Sequence, residues 1–242
     1  MKNLKIFVLH NEKNYLNKIK DNDFIEKINL NYLSLNNIYQ RNELAENRFF
    51  IHLANNISMI ENFEFIGIAS ARWNEKYKVY QEKQIMPIEE IHLGYDKFKN
   101  NSVYVAAPIY DWYKESCHQH DGMNFYIDEL LERNNFKKLG MSFYSNNFVC
   151  KKNIMIEFLK WWKKEFDYFF SKYGINYDYD SSNFSDFKEH VNCAYFYERL
   201  TLAYFANQKY EIIKLEPKIF KSNNSSGRYE SLKRFNKKNK FF

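Results

Sequence analysis

The chain has 242 residues, 19% of them aromatic, with 6 Gly and 3 Pro; this excludes a disordered, fibrous or loop-built protein and predicts one large domain with a sizeable core. Its three cysteines, Cys117, Cys150 and Cys193, are odd in number and widely spaced, which fits neither a disulfide framework nor a zinc knuckle and predicts a reducing, cytoplasmic setting. The net charge of +6 is uneven: from Lys218 onward eight basic residues stand against Glu230, a net +7, so residues 1–217 sum to about −1 and a basic tail follows a nearly neutral body.

In chain order, Lys5 to Leu9 (KIFVL) is a short apolar run bounded by polar residues and predicts a buried first strand. It is too short for a signal-peptide core or a membrane span, and no later segment reaches about 18 apolar residues, so the expectation is a soluble chain. Asn42 to Ile57 carries apolar residues at helical spacing without Gly or Pro, and Asn42 is placed to cap it. Phe63 to Ala69 and Ser102 to Ala107 read as the next two strands, the latter stopped by Pro108. The polar stretch between them, Asn74 to Asn101, is expected to cover one end of the sheet.

Asn124 to Arg133 predicts a short amphipathic helix, and Phe143 to Cys150 a strand. A long helix from Asn153 to about Tyr173 follows, with Ile154, Phe158, Trp161, Trp162 and Phe169 inward. After a polar loop, Tyr177 to Glu189, helix returns from Val191 to Asn207 and Tyr210 to Leu215 closes as a strand. Strands alternating with helices predict an α/β fold with a mostly parallel sheet. One domain over residues 1–217 and a basic C-terminal tail over 218–242 are expected.

In open α/β sheets ligands sit beyond the carboxyl ends of the strands. Those positions are His10 and Asn11, Ser70 to Trp73, Pro108 to Trp112, and Asn146 with Asn147. No GxGxxG, GxxxxGK[ST] or GxSxG occurs, so a bound nucleotide would be held by side chains and a cation rather than by a glycine cradle. Asp178-Tyr179-Asp180 has the spacing that lets two carboxylates share a divalent ion, but it follows no apolar strand and reads better as a solvated loop. His118-Gln119-His120-Asp121 offers metal-ligating side chains, in a short tract that chance often produces. Glu198 and Arg199 interrupt the apolar helix AYFYERLTLAYF. Either both lie at the surface, or Glu198 reaches into the cleft as a base, since a carboxylate on an apolar helix needs partners.

The order of segments resembles a bacterial family of capsular-polysaccharide-biosynthesis proteins with glycosyltransferase-like domains. In that family a YIGxxHYRR strand follows a Glu-containing helix opening, as FIGIASARW here follows NELAENRFF, the segment of Glu46. Tyr113 and Lys114 precede His118 and Asp121; Asn147-Phe148-Val149-Cys150-Lys151-Lys152 matches a later strand, followed by Trp161 and Trp162; Glu198-Arg199-Leu200 closes the series. The match runs over about residues 4 to 216. It departs at the signature, where His-Tyr becomes Ser70-Ala71 and the second Arg becomes Trp73, leaving Arg72.

The resemblance implies a GT-A-like, nucleotide-diphosphosugar transferase fold, and transfer of a sugar from a nucleotide sugar to a capsule or lipooligosaccharide acceptor. Such transfer needs the leaving diphosphate to be neutralised, by a divalent ion such as manganese or magnesium or by Arg and Lys, and Arg72 at a strand end suits that task. Glu198, Asp121 and Asp111 are the candidate catalytic carboxylates. His10, Glu46, Ser70, Arg72, Trp73, His118, Asn147 and Arg199 are the candidate donor-binding residues, with Trp73 and Trp112 as rings for a sugar or base, or for core packing. The basic tail suits contact with the inner membrane surface, or is a solvated terminus. The weighed alternatives are a catalytically silent scaffold of the same fold and a nucleic-acid-binding protein; the neutral body argues against nucleic acid as a partner.

Overall fold

Among the described residues, eight strands fall into two sheets. The structure is a computed structural model and describes residues 3–11, 16, 19–35, 44–73, 86–106, 109–114, 123–143, 146–174 and 191–216. The strands are β1 (Leu4–His10), β2 (Ile25–Asn29), β3 (Phe65–Ser70), β4 (Ser102–Val105), β5 (Ile109–Asp111), β6 (Met141–Phe143), β7 (Phe148–Lys151) and β8 (Glu211–Lys214). Six form the central sheet in the order β2-β1-β3-β7-β4-β8, and β5 pairs with β6 apart from it. Pairings β1–β2, β1–β3 and β4–β8 are parallel, whereas β7 runs antiparallel to both β3 and β4. The sheet is thus mostly parallel with one reversed strand at its centre, as a GT-A-like α/β fold requires.

Side chains alternate across the sheet and feed two cores. Phe7, Leu9, Ile66, Ile68, Phe148 and Cys150 face one core; Ile6, Val8, Phe65, Ala69, Tyr104 and Val149 face the other. A strand buried on both faces reads as a continuous apolar run, which is why KIFVL and FIGIA were legible. Gly67 lies in β3 where a Cβ would stand 3.0 Å from both Ile6 Cγ1 and Val149 Cγ2. The burial of Cys150 pushes its thiol well above the ordinary range, so it packs as an inert apolar group.

Helices α1 (Asn47–Asn55), α2 (Met123–Asn134), α3 (Lys152–Tyr173) and α4 (Val191–Asn207) carry the larger core. Aromatic rings join them: Phe50 meets Trp162 at 5.3 Å, Phe166 meets Tyr197 at 4.5 Å, and the Trp162 indole donates to Tyr197 O at 3.3 Å. Gly174 ends α3 at φ +69°, its N–H donating to Phe170 O at 2.9 Å.

Several expectations are corrected. The run Phe143 to Cys150 is not one strand: β6 and β7 belong to different sheets. Ile25–Asn29 is a strand that the sequence reading left out, because only its first residue is fully buried and Glu26 and Lys27 break the apolar run. β5 has only three residues and falls in the stretch Pro108 to Trp112, which the sequence places just beyond a strand. The stretch Asn74 to Asn101 contains a 3-10 helix, Ile88–Lys97, whose Ile88 and Ile91 enter the second core. Residues 74–85 and the loop Tyr177 to Glu189 lie outside the described residues, as does the basic tail. Helix α1 begins at Asn47 with Glu46 as its N-cap, and Ala45 before it adopts φ +45°; Asn42, the expected cap, lies outside the described residues. Among the described residues no helix is long and apolar enough to cross a membrane.

Candidate functional site

Parallel pairing sets the carboxyl ends of β1 and β3 side by side. Leu9 pairs with Ser70, and Ala71 N donates to Leu9 O at 2.9 Å, so His10 and the Ser70–Arg72 segment leave the sheet together. Because β7 is antiparallel, its entry residues Asn146 and Asn147 arrive at this same edge. The β3–β7 ladder ends at Ile68 and Phe148. Beyond it a side chain takes over from the main chain: Ser70 N donates to Asn147 Oδ1 at 2.6 Å, while Asn147 O accepts from Ala106 N at 3.5 Å. Ser70 Oγ accepts from Arg72 N at 3.3 Å. Ala71 and Trp73 are buried, and Arg72 between them is exposed.

The edge beside β1 is held from α1. Arg48, 1% exposed, donates from Nη2 to Asn11 Oδ1 at 3.0 Å and to Asn31 Oδ1 at 3.5 Å, and from Nε to Ala45 O at 3.3 Å. Asn31 Nδ2 donates to Asn11 O at 3.2 Å. Neutral oxygens fix the guanidinium fork in place; such charge-assisted bonds are stronger than neutral ones.

Helix α4 approaches the edge through two further bonds. Thr201 Oγ1 donates to Asn146 Oδ1 at 2.8 Å, and Asn47 Nδ2, on α1, donates to the Ala194 carbonyl at 3.1 Å. Residues three and four apart on a helix share a face, so Glu198 stands one turn from each anchor and on their side of the helix. Its Oε2 lies 3.5 Å from Arg199 Nη1, with side-chain exposures of 14% and 1%. The surface reading of Arg199 is therefore corrected: the guanidinium is buried in the helical layer. Burial pushes the Tyr195 phenol upward, helped by the negative charge of Glu198 and opposed by the positive charge of Arg199.

His10, Ser70, Arg72 and Asn147 are thus gathered at one edge, with Glu198 and Arg199 on the helix tied to it. Glu46 is half-buried at the start of α1, and its carbonyl accepts from Phe49 N at 3.0 Å. Trp73 is 1% exposed and its indole donates to Met86 O at 3.1 Å; Trp112 is fully buried. Both are core residues, with no ring face open for a sugar. Asp111, on β5, accepts from Lys114 N at 3.0 Å and caps the turn that follows. His118, Asp121, Asp178 and Asp180 lie outside the described residues. Among those described, no three His, Cys, Asp or Glu side chains gather to hold a metal ion.

Sequence reasoning missed Arg48, Asn47 and Thr201. Arg48 had a signal, a cation directly before Phe49-Phe50-Ile51. Thr201 had none, since a Thr in an apolar helix is unremarkable.

No family model matches the chain, and no curated protein matches it in sequence. In fold it is similar to the solved apo structure of the WbbM bifunctional glycosyltransferase, with a TM-score of 0.57 at 14% identity, over 88% of this chain and 45% of that one. The two share a fold. The chain covers less than half of that structure's length.

Proposed function

We propose that this chain is a glycosyltransferase that moves a sugar from a nucleotide-sugar donor to a surface-glycan acceptor of the capsule or lipooligosaccharide type. The observation that carries this reading is the exposed Arg72 at the carboxyl edge of the sheet, with the Glu198–Arg199 pair on the helix anchored to that edge, in a fold like that of a known glycosyltransferase. Transfer requires an acceptor hydroxyl to lose its proton while the bond from the anomeric carbon to the diphosphate oxygen breaks. Glu198 takes the proton, and Arg72 meets the charge that develops on the leaving diphosphate. Glu198 is preferred as base over Asp111, whose carboxylate already caps a turn; Asp121 is separated from it by substitution. His10, Ser70 and Asn147 shape the donor pocket, and a divalent cation remains part of the proposal as a second charge carrier.

The acceptor is lipid-linked or membrane-proximal in this reading, and the basic residues 218–242 hold the protein against an anionic leaflet, each Lys or Arg contributing roughly 1 kcal/mol. The test is a calorimetric screen of uridine, guanosine and cytidine diphosphosugars with and without manganese, followed by turnover. Arg72→Ala and Glu198→Gln are each expected to lower turnover by about tenfold or more while both variants still unfold cooperatively, Glu198→Gln within about 1 kcal/mol of the parent. Asp121→Asn is expected to act less. Failure of every donor to bind would favour a silent scaffold; near-normal turnover in both variants would overturn the assigned roles.

A further inference from the structure

Asn146 and Asn147 are consecutive residues whose side chains reach different elements. Asn146 Oδ1 accepts from Thr201 on α4 at 2.8 Å, and Asn147 Oδ1 accepts from the Ser70 amide at the end of β3 at 2.6 Å. All four residues are buried, with exposures of 2%, 0%, 0% and 5% for Asn146, Asn147, Thr201 and Ser70. Apolar side chains of similar volume would fill such space without the cost of desolvating polar groups, so hydrogen bonds here contribute direction more than net stability. One short piece of backbone therefore grips the strand end with one amide and the helix with the next.

We propose that Asn146, Asn147 and Thr201 are positioning residues that couple α4 to the end of β3 and keep the Glu198–Arg199 pair in register with Arg72. The functional weight of this coupling rests on the roles given to Glu198 and Arg72 above; the coupling itself does not. Thr201 precedes none of the reacting groups, yet it lies one turn from Glu198, and its partner's neighbour fixes the amide two residues before Arg72. A sub-ångström tilt of α4 would reach the strand end through these two bonds, since packed interiors transmit displacement rather than absorb it.

The test compares Thr201→Val, which keeps the shape and removes the hydroxyl, with Thr201→Ser, which keeps the hydroxyl. Amide hydrogen exchange of the full chain is followed by mass spectrometry. Thr201→Val is expected to speed exchange about tenfold across Ser70–Trp73 and around Glu198, leaving β4 and β8 at the parent's rate, while Thr201→Ser behaves as the parent. Where a donor is turned over, Thr201→Val should lower kcat about tenfold with the donor KM within about twofold. Unchanged exchange at Ser70–Trp73, or equal acceleration across β4 and β8, overturns the coupling. Absence of turnover in the parent would count against the transferase reading alone, because the exchange pattern decides the coupling without it.

Discussion

Arg48 Nη2 donates to Asn11 Oδ1 at 3.0 Å, so a guanidinium buried on α1 grips the first residue beyond β1. The same group reaches Asn31 Oδ1 and Ala45 O, joining the ends of β1, the 3-10 helix Leu30–Tyr32 and the entry to α1. Lys has the charge but not the planar fork and cannot span these acceptors. Arg48→Met is expected to lower the unfolding free energy by about 2–4 kcal/mol and Arg48→Lys by about 1–2 kcal/mol, measured by urea titration. A midpoint for Arg48→Met equal to the parent's would mean that the cluster adds no stability.

The Glu198–Arg199 pair predicts an order of effects. Removing the carboxylate leaves a buried guanidinium next to a gap, so Glu198→Ala should cost about 3 kcal/mol, whereas Glu198→Gln keeps an oxygen acceptor and should cost about 1 kcal/mol. Thermal or urea unfolding checks the order. Equal losses in the two variants would show that a neutral oxygen acceptor at this position does not compensate Arg199.

Gly140 N-terminal to β6 is required by contact rather than by backbone freedom. A Cβ there would stand 2.7 Å from the Ala206 carbonyl oxygen of α4, a main-chain atom that cannot step aside. Gly140→Ala should therefore destabilise by about 1–3 kcal/mol, through overpacking. At Gly67 the nearest atoms are side-chain carbons of Ile6 and Val149 at 3.0 Å, and Gly67→Ala should cost less. Reversal of that order in urea titrations would contradict the account.

Glu129 links α2 to α3. Burial by itself would raise its carboxyl, but Lys172 at 2.6 Å and the hydroxyls of Tyr168 and Tyr173 donate to it and hold it below the ordinary value of 4.5. A carboxyl with a depressed folded-state value binds fewer protons folded than unfolded, so its stabilisation is complete above about pH 4.5 and is lost as pH falls through the folded-state value. Glu129→Gln should remove part of the acid sensitivity below pH 4.5, read from urea midpoints between about pH 3 and 7. Identical pH profiles for parent and variant would refute this linkage.

Most of the elements were legible because buried strands and long helices carry dense local patterns. Val191–Asn207 matches its expected bounds, and Lys152–Tyr173 begins one residue early. Ile25–Asn29 was not legible, since an edge strand with Glu26 and Lys27 half-buried lacks both a continuous apolar run and clean alternation. The division of Phe143–Cys150 was hidden for the opposite reason: apolar residues on both sides belong to different sheets, and periodicity cannot report a change of partner.

Composition and patterning by themselves determined an α/β chain with two-sided strands, aromatic helices, and candidate residues at strand ends, because hydrophobic burial is written locally at periods of 2.0 and 3.6 residues. Which of those residues meet was decided only by the tertiary structure. The reversal of β7 brings Asn146 and Asn147 to the edge where β1 and β3 end, and the Thr201 and Asn47 bonds draw Glu198 toward it. Trp73, adjacent to Arg72 in sequence, is turned instead into the second core. Hydrogen bonds between residues 55, 77 and 147 positions apart have no signature in any local window, and they are what assembles the candidate site.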